Sequence, residues 1–144
     1  MPLEAIAIND FDTQLMREVN YEGEFKARIH ALYQDMGLNQ DKHHRLSKTA
    51  DEVMAVLSDS FASGRGSLYV GMFNDKPICA VACFVDKNSQ GKCLEYLAMH
   101  AQNQNRGIEP QFIRQVVKAE SMIGTDQLTS QNTQIKTLLE AVYG

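Results

Sequence analysis

The segment with the clearest chemical character is a strand, a polar loop and a helix between residues 94 and 118. The loop carries Gln104, Asn105 and Arg106 and reaches Gly107 directly before an amphipathic run. Glycine permits a tight turn, and the first turn of a helix offers unpaired backbone N–H groups at the positive end of the helix dipole. Such a place suits an anion, so the spacing predicts a site for a diphosphate group. Many helices also begin in this way without a ligand.

Glu95 is the residue best suited to act as a general base. It stands in an otherwise apolar strand, where a carboxylate can take a proton from an ammonium group directly or through water. The alternative is an exposed strand position at which Glu95 pairs with a nearby lysine. The sequence leaves both readings open.

The cysteines and histidines do not predict a metal site. Cys79, Cys83 and Cys93 are an odd number among aliphatic residues, which indicates buried free thiols rather than a disulfide framework. If Cys79 and Cys83 share a strand, four residues separate them by roughly 13 Å, too far for one tetrahedral zinc ion. His43 and His44 stand in a polar stretch that is typical of a solvated loop.

Composition narrows the class of protein and of partner. The chain has 144 residues, 44% hydrophobic and 22% charged, which is typical of one compact globular domain. Its net charge of -4 gives no general attraction to nucleic acid, so a small molecule or a protein is the expected partner. The longest mostly apolar run, residues 78 to 85, is far shorter than the roughly 20 residues of a membrane helix. The amino terminus lacks the pattern of a secretory signal, which predicts a cytoplasmic location.

Hydrophobic spacing in the first half predicts the elements around the site. Residues 3 to 8 predict a strand, followed by a helix capped by Asp10 or Asp12. That first helix carries Leu15, Met16 and Val19. A second helix is predicted from an i, i+4, i+7, i+11 stripe, with Gly37 as its stop. The stripe consists of Phe25, Ile29, Leu32 and Met36, and a loop over residues 39 to 48 follows it.

A third helix is predicted by the capping box formed by Thr49 and Glu52, and the stretch from Gly64 to Gly66 ends it. A hairpin then follows, with a turn at residues 74 to 77 and its second strand at 78 to 85. A further strand from Lys92 to about residue 100 is apolar on both parities, which predicts burial on both faces. The predicted alternation places Leu97 and Met99 on one face of the sheet, and it places Leu94, Tyr96 and Ala98 on the other.

The last third of the chain predicts a helix, a short strand and a final helix. The first of these helices is indicated by Phe112, Ile113, Val116 and Val117. The strand is expected within residues 126 to 129. The final helix is indicated by Ile135, Leu138, Leu139 and Val142, and it ends at Tyr143.

The order of these elements, with one short motif, resembles the GNAT superfamily of acetyl-CoA-dependent N-acetyltransferases over nearly the whole chain. In that family the cofactor loop reads Gln/Arg-x-x-Gly-x-Gly/Ala after a strand of the type Leu-Ala-Val-His-Pro. The chain reads Leu97-Ala98-Met99-His100-Ala101 and then Gln104-x-x-Gly107-x-Glu109. The resemblance implies a single domain over residues 1 to 144 with an α+β fold, a mostly antiparallel central sheet flanked by helices and lacking the last strands.

The same resemblance implies how acetyl-CoA would be held and used. Backbone groups of the strand would pair with the pantetheine arm, and N–H groups of the loop would hold the pyrophosphate. The residues that it assigns to the cofactor are Leu97, Ala98, Met99, Gln104, Asn105, Arg106, Gly107, Ile108 and Glu109. The implied reaction is acetyl transfer to an amine of a small molecule or a protein, with no metal.

Three departures from the family pattern bear on activity. Glu109 stands where the motif has a small residue, and Pro110 after it removes one N–H group. Leu139 stands where many members place a tyrosine that protonates the departing thiolate, and Tyr143 lies one helical turn further on. The chain ends at Gly144, where the family usually continues into further strands, so an edge covered by a homodimer is expected.

Two other functions therefore stand beside the transferase. One is a domain that kept the fold and binds acetyl-CoA as a sensor or a protein-binding regulator. The other is a fold relic that binds no coenzyme and acts through dimer contacts. A fainter similarity to the PanM-type branch, whose members bind acetyl-CoA to regulate a partner enzyme, lies in residues 68 to 74.

Overall fold

A computed structural model describes residues 3–11, 24–39, 49–74, 76–85, 91–100, 107–125 and 127–144. Five strands and four helices lie within these ranges. In chain order they are β1 (Glu4–Ile8), α1 (Glu24–Asn39), α2 (Ala50–Ser63), β2 (Gly66–Phe73), β3 (Lys76–Val85), β4 (Lys92–Met99), α3 (Ile108–Met122), β5 (Leu128–Thr129) and α4 (Thr133–Tyr143). The predicted helix around Leu15 and the predicted loop with His43 and His44 lie outside the described residues.

The five strands form one sheet in the order β1-β2-β3-β4-β5. Neighbours from β1 to β4 are antiparallel, and β5 runs parallel to β4. A parallel neighbour needs a crossover connection, and α3 provides it. The sheet is therefore mixed and mostly antiparallel with helices on both faces, which confirms the predicted α+β fold.

Two apolar clusters fill the space between the sheet and its helices. On one face α1 and α2 pack against the sheet through Ile29, Tyr33, Val53 and Leu57. On the other face α3 and α4 pack through Phe112, Ile113, Val116, Ile135 and Leu139. The middle of β3 serves both clusters, so its side chains from residue 79 to residue 83 are all buried.

The boundaries of α2 follow the predicted caps. The hydroxyl of Thr49 accepts from the N–H of Glu52, and the Glu52 carboxylate accepts in return from the N–H of Thr49, so the capping box is confirmed. Gly64 ends the helix at a φ of 70°. In contrast, α1 continues past Gly37 to Asn39, so the predicted stop at Gly37 is wrong. A helix tolerates an internal glycine at a cost of about 1 kcal/mol.

The predicted turn over residues 74 to 77 is also shorter in the structure. β3 begins at Lys76, which pairs with Phe73. Pro77 pairs with Met72 at the bulge of the β2–β3 ladder, a place where a strand accepts proline.

A bulge in β4 changes which side chains share a face. Ala80 pairs with Ala98 and Ala82 pairs with Glu95, so β4 has one residue more than β3 in this stretch. β4 is buried on both faces, as predicted. However, Leu94 packs in the same cluster as Leu97, so its predicted side with Ala98 is wrong. Side chains do not alternate regularly between the two faces along β4, because the extra residue at the bulge moves the following side chains to the other face.

Side chains from the helices cover both edges of the described sheet. Gln115 of α3 accepts from the N–H of Ala5 and donates to the carbonyl of Leu3, both at 2.8 Å. Tyr143 of α4 accepts from the N–H of Leu128 at 3.0 Å. Such contacts use backbone groups that could otherwise pair with another strand.

Within the described ranges, no helix combines the length and the apolar character that a membrane span needs.

Candidate functional site

Six of the nine predicted cofactor residues lie in described parts of the chain, at the end of β4 and the start of α3. Leu97, Ala98 and Met99 form the last part of β4, and all three side chains are buried. Gly107 and Ile108 stand at the start of α3. The three loop residues between them, Gln104, Asn105 and Arg106, lie outside the described residues.

β4 is paired differently along its two sides. Toward β3 the ladder runs from Lys92 to Met99. Toward β5 the described ladder holds only the pairs of Lys92 with Leu128 and of Cys93 with Thr129. The two parallel strands therefore part after Cys93, and the second half of β4 presents a strand edge on that side within the described residues. An extended ligand with amide groups could pair with such an edge.

The start of α3 has the backbone geometry that the motif predicts. Gly107 is the residue before the first helical turn and has a φ of 77°, which favours glycine. As a glycine, this residue makes no side-chain cap hydrogen bond to the helix. A β-carbon at Gly107 would meet nothing within 4 Å, so the conformation, rather than crowding, requires the glycine.

A close contact between strands holds α3 near the sheet. Gly71, Cys79 and Met99 lie side by side on β2, β3 and β4. A β-carbon on Gly71 would stand 2.2 Å from Sγ of Cys79 and 3.2 Å from Cδ1 of Phe112. The missing side chain of Gly71 therefore leaves room for Phe112 of α3 to pack against the sheet.

Glu109 lies in the first turn of α3 and is half-buried. Burial raises the pKa of the Cys79 thiol above its usual range, and the negative charge of Glu109 adds to this effect. The charge of Glu109 is therefore close enough to act at the Cys79–Met99 pair. A carboxylate in this turn interacts favourably with the helix dipole, and it would repel an anion bound at the same turn.

Glu95 anchors the start of α4. Its Oε1 accepts from the N–H of Gln131 at 2.9 Å and from the thiol of Cys93 at 3.1 Å. The hydroxyl of Ser130 donates to the carbonyl of Leu94 at 2.7 Å and reinforces the same connection. The Glu95 side chain is half-buried, and a backbone N–H and a thiol bind it. The sequence suggests either a general base in an apolar strand or an exposed carboxylate paired with a lysine, and neither alternative includes these contacts.

The residues considered as a general acid lie elsewhere. Leu139 is buried in the core between α4 and the sheet. The hydroxyl of Tyr143 accepts from Leu128, which pairs with Lys92 at the start of β4. Met99 is seven residues along the strand from Lys92, roughly 23 Å at 3.3 Å per residue. Tyr143 is therefore far from the predicted cofactor residues.

A buried polar cluster at the start of β4 was not predicted. Glu120 of α3 is only 2% exposed and accepts from Lys92 Nζ at 2.7 Å, from Thr125 Oγ1 at 2.9 Å and from the hydroxyl of Tyr69. Burial alone would raise the pKa of Glu120, but these three partners together lower it. Burial and Glu120 also raise the pKa of Cys83 to about 12. The sequence signal was available, because Glu120 continues the apolar stripe of α3 one turn after Val116.

The expectation for the cysteines is confirmed in part. All three are free thiols, and Cys79 and Cys83 are buried. Cys93 is only half-buried, and its thiol donates to the carboxylate of Glu95.

A cavity of about 560 Å³ lies between α1 and α2. Its lining includes Lys26, His30, Asp51 and Ser58, and His30 Nε2 lies 2.7 Å from Oδ1 of Asp51. Because Asp51 is almost fully exposed, this contact contributes little to stability. The lining holds no residue of β4 or α3, so this cavity is separate from the predicted cofactor site.

Comparison with solved structures identifies the fold. An acetyltransferase of the GNAT family from Desulfovibrio desulfuricans matches with a TM-score of 0.64 and 10% identity, over 90% of this chain and 72% of that one. AAC(6')-Iy bound to the bisubstrate analogue CoA-S-monomethyl-acetylneamine matches with a TM-score of 0.61 and 12% identity, over 99% and 90%. An acetyltransferase from Clostridium acetobutylicum with acetyl-CoA matches with a TM-score of 0.57 and 9% identity, over 99% and 89%.

The chain therefore has the GNAT acetyltransferase fold, and the resemblance drawn from its sequence is confirmed at that level. No protein-family model and no curated protein matches the sequence. The similarity to the PanM-type branch stays a prediction.

Proposed function

We propose that this chain binds acetyl-CoA and transfers its acetyl group to an amine. The observation that carries the proposal is the second half of β4. This half contains a bulge, does not pair with the described part of β5, and is followed along the chain by Gly107 with its positive φ at the start of α3. The fold supports it, because two similar structures contain a CoA bisubstrate analogue or acetyl-CoA.

In this proposal the cofactor follows β4 toward α3. The pantetheine amides pair with backbone groups of Leu97, Ala98 and Met99 on the side facing β5. The pyrophosphate lies at residues 104 to 109, where the N–H groups of the helix start are directed at it. The acetyl group then lies near the bulge, at residues 96 and 97.

Glu95 is the proposed general base. It precedes the bulge by one residue, and its second carboxylate oxygen would take a proton from the substrate ammonium, directly or through water, so that the neutral amine can attack the thioester. Glu95→Gln tests this role, because glutamine keeps an oxygen that can accept from Gln131 but cannot act as a base. We expect the transfer rate to fall roughly 100-fold or more with little change in stability. A fall in stability with an unchanged rate would leave Glu95 as an anchor only.

A second function, binding acetyl-CoA without transferring it, is favoured by one specific observation. Neither Leu139 nor Tyr143 offers a hydroxyl near the predicted acetyl position. A departing thiolate would then have to be protonated by a group other than these two. In this alternative, acetyl-CoA acts as a signal that alters how the domain contacts a partner protein.

The deciding experiment measures binding and transfer separately. The melting temperature of the purified chain is measured with millimolar acetyl-CoA and with CoA, and release of free thiol is then followed with a panel of amines. A rise in melting temperature with thiol release supports the transferase, and a rise alone supports the sensor. No rise with either ligand would overturn both and leave the fold relic that acts through dimer contacts.

The cytoplasmic location and the homodimer also stay predictions. Sedimentation at high micromolar concentration tests the homodimer. A strict monomer there would contradict it.

A further inference from the structure

Tyr33 of α1 contacts the bulge of β4. It does so from the face of the sheet on which α1 and α2 pack, opposite to the face of α3 and α4. Its hydroxyl donates to the backbone carbonyl of Tyr96 at 2.7 Å, between residues 63 positions apart in the chain. The side chain of Tyr33 is only 1% exposed. Burial raises the pKa of this phenol well above its usual range, so the hydroxyl remains a donor at every physiological pH.

The carbonyl that Tyr33 binds belongs to a strained residue. Tyr96 has a φ of 57°, in the left-handed region that non-glycine residues seldom occupy. Its ring packs edge-on against Phe84, with centroids 5.9 Å apart. Residues in such conformations persist only where the surrounding structure enforces them. The hydrogen bond from Tyr33 and the contact with Phe84 both do so.

The position of Tyr33 also fixes the direction of a neighbouring donor. The hydroxyl of Tyr33 on α1 binds the carbonyl of Tyr96, so this carbonyl is directed toward α1. The described peptide bonds include no cis bond, and in a planar trans peptide the C=O and the N–H point in opposite directions. The N–H of Leu97 is therefore directed away from α1.

We propose that Tyr33 is a positioning residue, which holds the bulge so that the N–H of Leu97 is presented to the carbonyl oxygen of an acyl thioester bound along β4. This inference rests on the proposed function, since it places the acetyl group at the bulge. A fixed donor at that oxygen would stabilise the negative charge that develops there when an amine attacks. Tyr33 itself would not touch the cofactor.

The test compares two variants that each remove one buried phenol hydroxyl. Tyr33→Phe removes the bond to Tyr96, and Tyr69→Phe removes the bond to Glu120 at the other end of β4. Both changes keep the aromatic ring and are expected to lower stability. The readout is the ratio of the affinities for acetyl-CoA and CoA, together with the kcat of transfer where transfer is found.

For Tyr33→Phe we expect the preference for acetyl-CoA over CoA to disappear and kcat to fall about tenfold or more, with unchanged affinity for CoA. For Tyr69→Phe we expect both readouts to stay at the wild-type value. If the wild-type protein prefers acetyl-CoA over CoA or transfers the acetyl group, and Tyr33→Phe does so equally well, the positioning role is wrong and the proposed function stands. If wild-type protein binds neither ligand, the proposed function fails and this role fails with it.

A second variant covers the case in which Tyr33→Phe does not fold. Glycine takes a positive φ without strain, so Tyr33→Phe combined with Tyr96→Gly should fold without the hydrogen bond. We expect this double variant to bind CoA and to lose the preference for acetyl-CoA, because neither Tyr33 nor the contact with Phe84 then holds the bulge. A folded double variant that keeps the preference would contradict the positioning role of Tyr33.

Discussion

The two ends of β4 are built in opposite ways. At its start, Lys92 pairs with Val85 on one side and Leu128 on the other, and its ammonium group binds the buried Glu120. At its end, the strand carries a bulge with a positive φ, and in the described residues β5 no longer accompanies it. We call these the closed end and the open end.

The two ends of β4 differ in their expected roles: the closed end stabilises the fold, and the open end binds the ligand. Strained backbone persists where the rest of the structure supports it, and such strain is concentrated at functional sites. The closed end gives this support through a satisfied polar cluster, whereas the open end keeps strained backbone and a positive-φ glycine before a helix. Variants at the closed end should therefore change stability, and variants at the open end should change ligand binding.

The largest effect is expected for Glu120→Gln at the closed end. The change leaves the ammonium of Lys92 without its charged partner and weakens the bonds from Tyr69 and Thr125. Breaking a buried ion pair costs about 3 to 5 kcal/mol, and we expect about 3 because Lys92 is 26% exposed. Urea denaturation measures the loss, and the affinity for acetyl-CoA should be unchanged below the transition.

Glu140→Gln is the matched control for this prediction. Glu140 is exposed on α4, so the same chemical change should alter stability by less than about 0.5 kcal/mol. Equal losses in the two variants would mean that the cluster around Glu120 does not stabilise the closed end.

At the open end, Gly107→Val should weaken acetyl-CoA binding by at least about 100-fold, or about 2.8 kcal/mol. A β-branched residue resists the φ of 77° at this position, and relief of that strain would turn the N–H groups of the helix start away from the pyrophosphate. Calorimetry measures the affinity. Gly124→Val is the control, because Gly124 also has a positive φ and open space but lies at the far end of α3. Similar weakening by both variants would refute a site at Gly107.

The sequence predicted the features that depend on local patterns. The capping box at Thr49, the positive φ expected at Gly107 and the periods of α3 and α4 follow from neighbouring residues, and the structure contains them. The GNAT resemblance added the order of the elements, which the sheet topology confirms.

The features that escaped prediction depend on contacts between distant parts of the chain. The bulge at Tyr96 arises from pairing with β3 and from Tyr33, and nothing local in β4 indicates it. Gly71 lacks room for a side chain because Cys79, Leu3 and Phe112 meet there. Two partners of Glu95, Ser130 and Gln131, come from the start of α4, 35 and 36 residues away, so no strand pattern could identify them.

A smaller effect is expected from pH at the closed end. The pKa of Glu120 in the folded state lies below its ordinary value of 4.5, so its ionised form stabilises the fold. This contribution is fully present above pH 4.5 and is lost as the pH falls through the folded-state pKa. Unfolding free energies of wild-type protein and Glu120→Gln should therefore converge on acidification. Curves that stay parallel from pH 7 down to pH 3 would show that Glu120 is not the group responsible.

The smallest effect is expected at Glu109, where the open end departs from the family motif. Its carboxylate lies in the first turn of α3, and a diphosphate about 4 to 6 Å away would be repelled by a few kcal/mol at an effective dielectric near 20, before screening by salt. Glu109→Gly removes the charge and restores the motif, so CoA should bind at least about tenfold tighter, equivalent to about 1.4 kcal/mol.

Glu109→Gln separates charge from backbone flexibility, because it removes the charge and keeps a side chain of similar size. If repulsion is the cause, both variants should tighten binding, and the gain should shrink between about 0.05 M and 0.5 M salt because screening weakens the repulsion in the wild-type protein. Tightening by glycine alone would assign the effect to the backbone. Unchanged affinity in both variants would mean that Glu109 interacts with the helix dipole but does not face the ligand. The case for a weakened transferase would then depend on Leu139 and Tyr143.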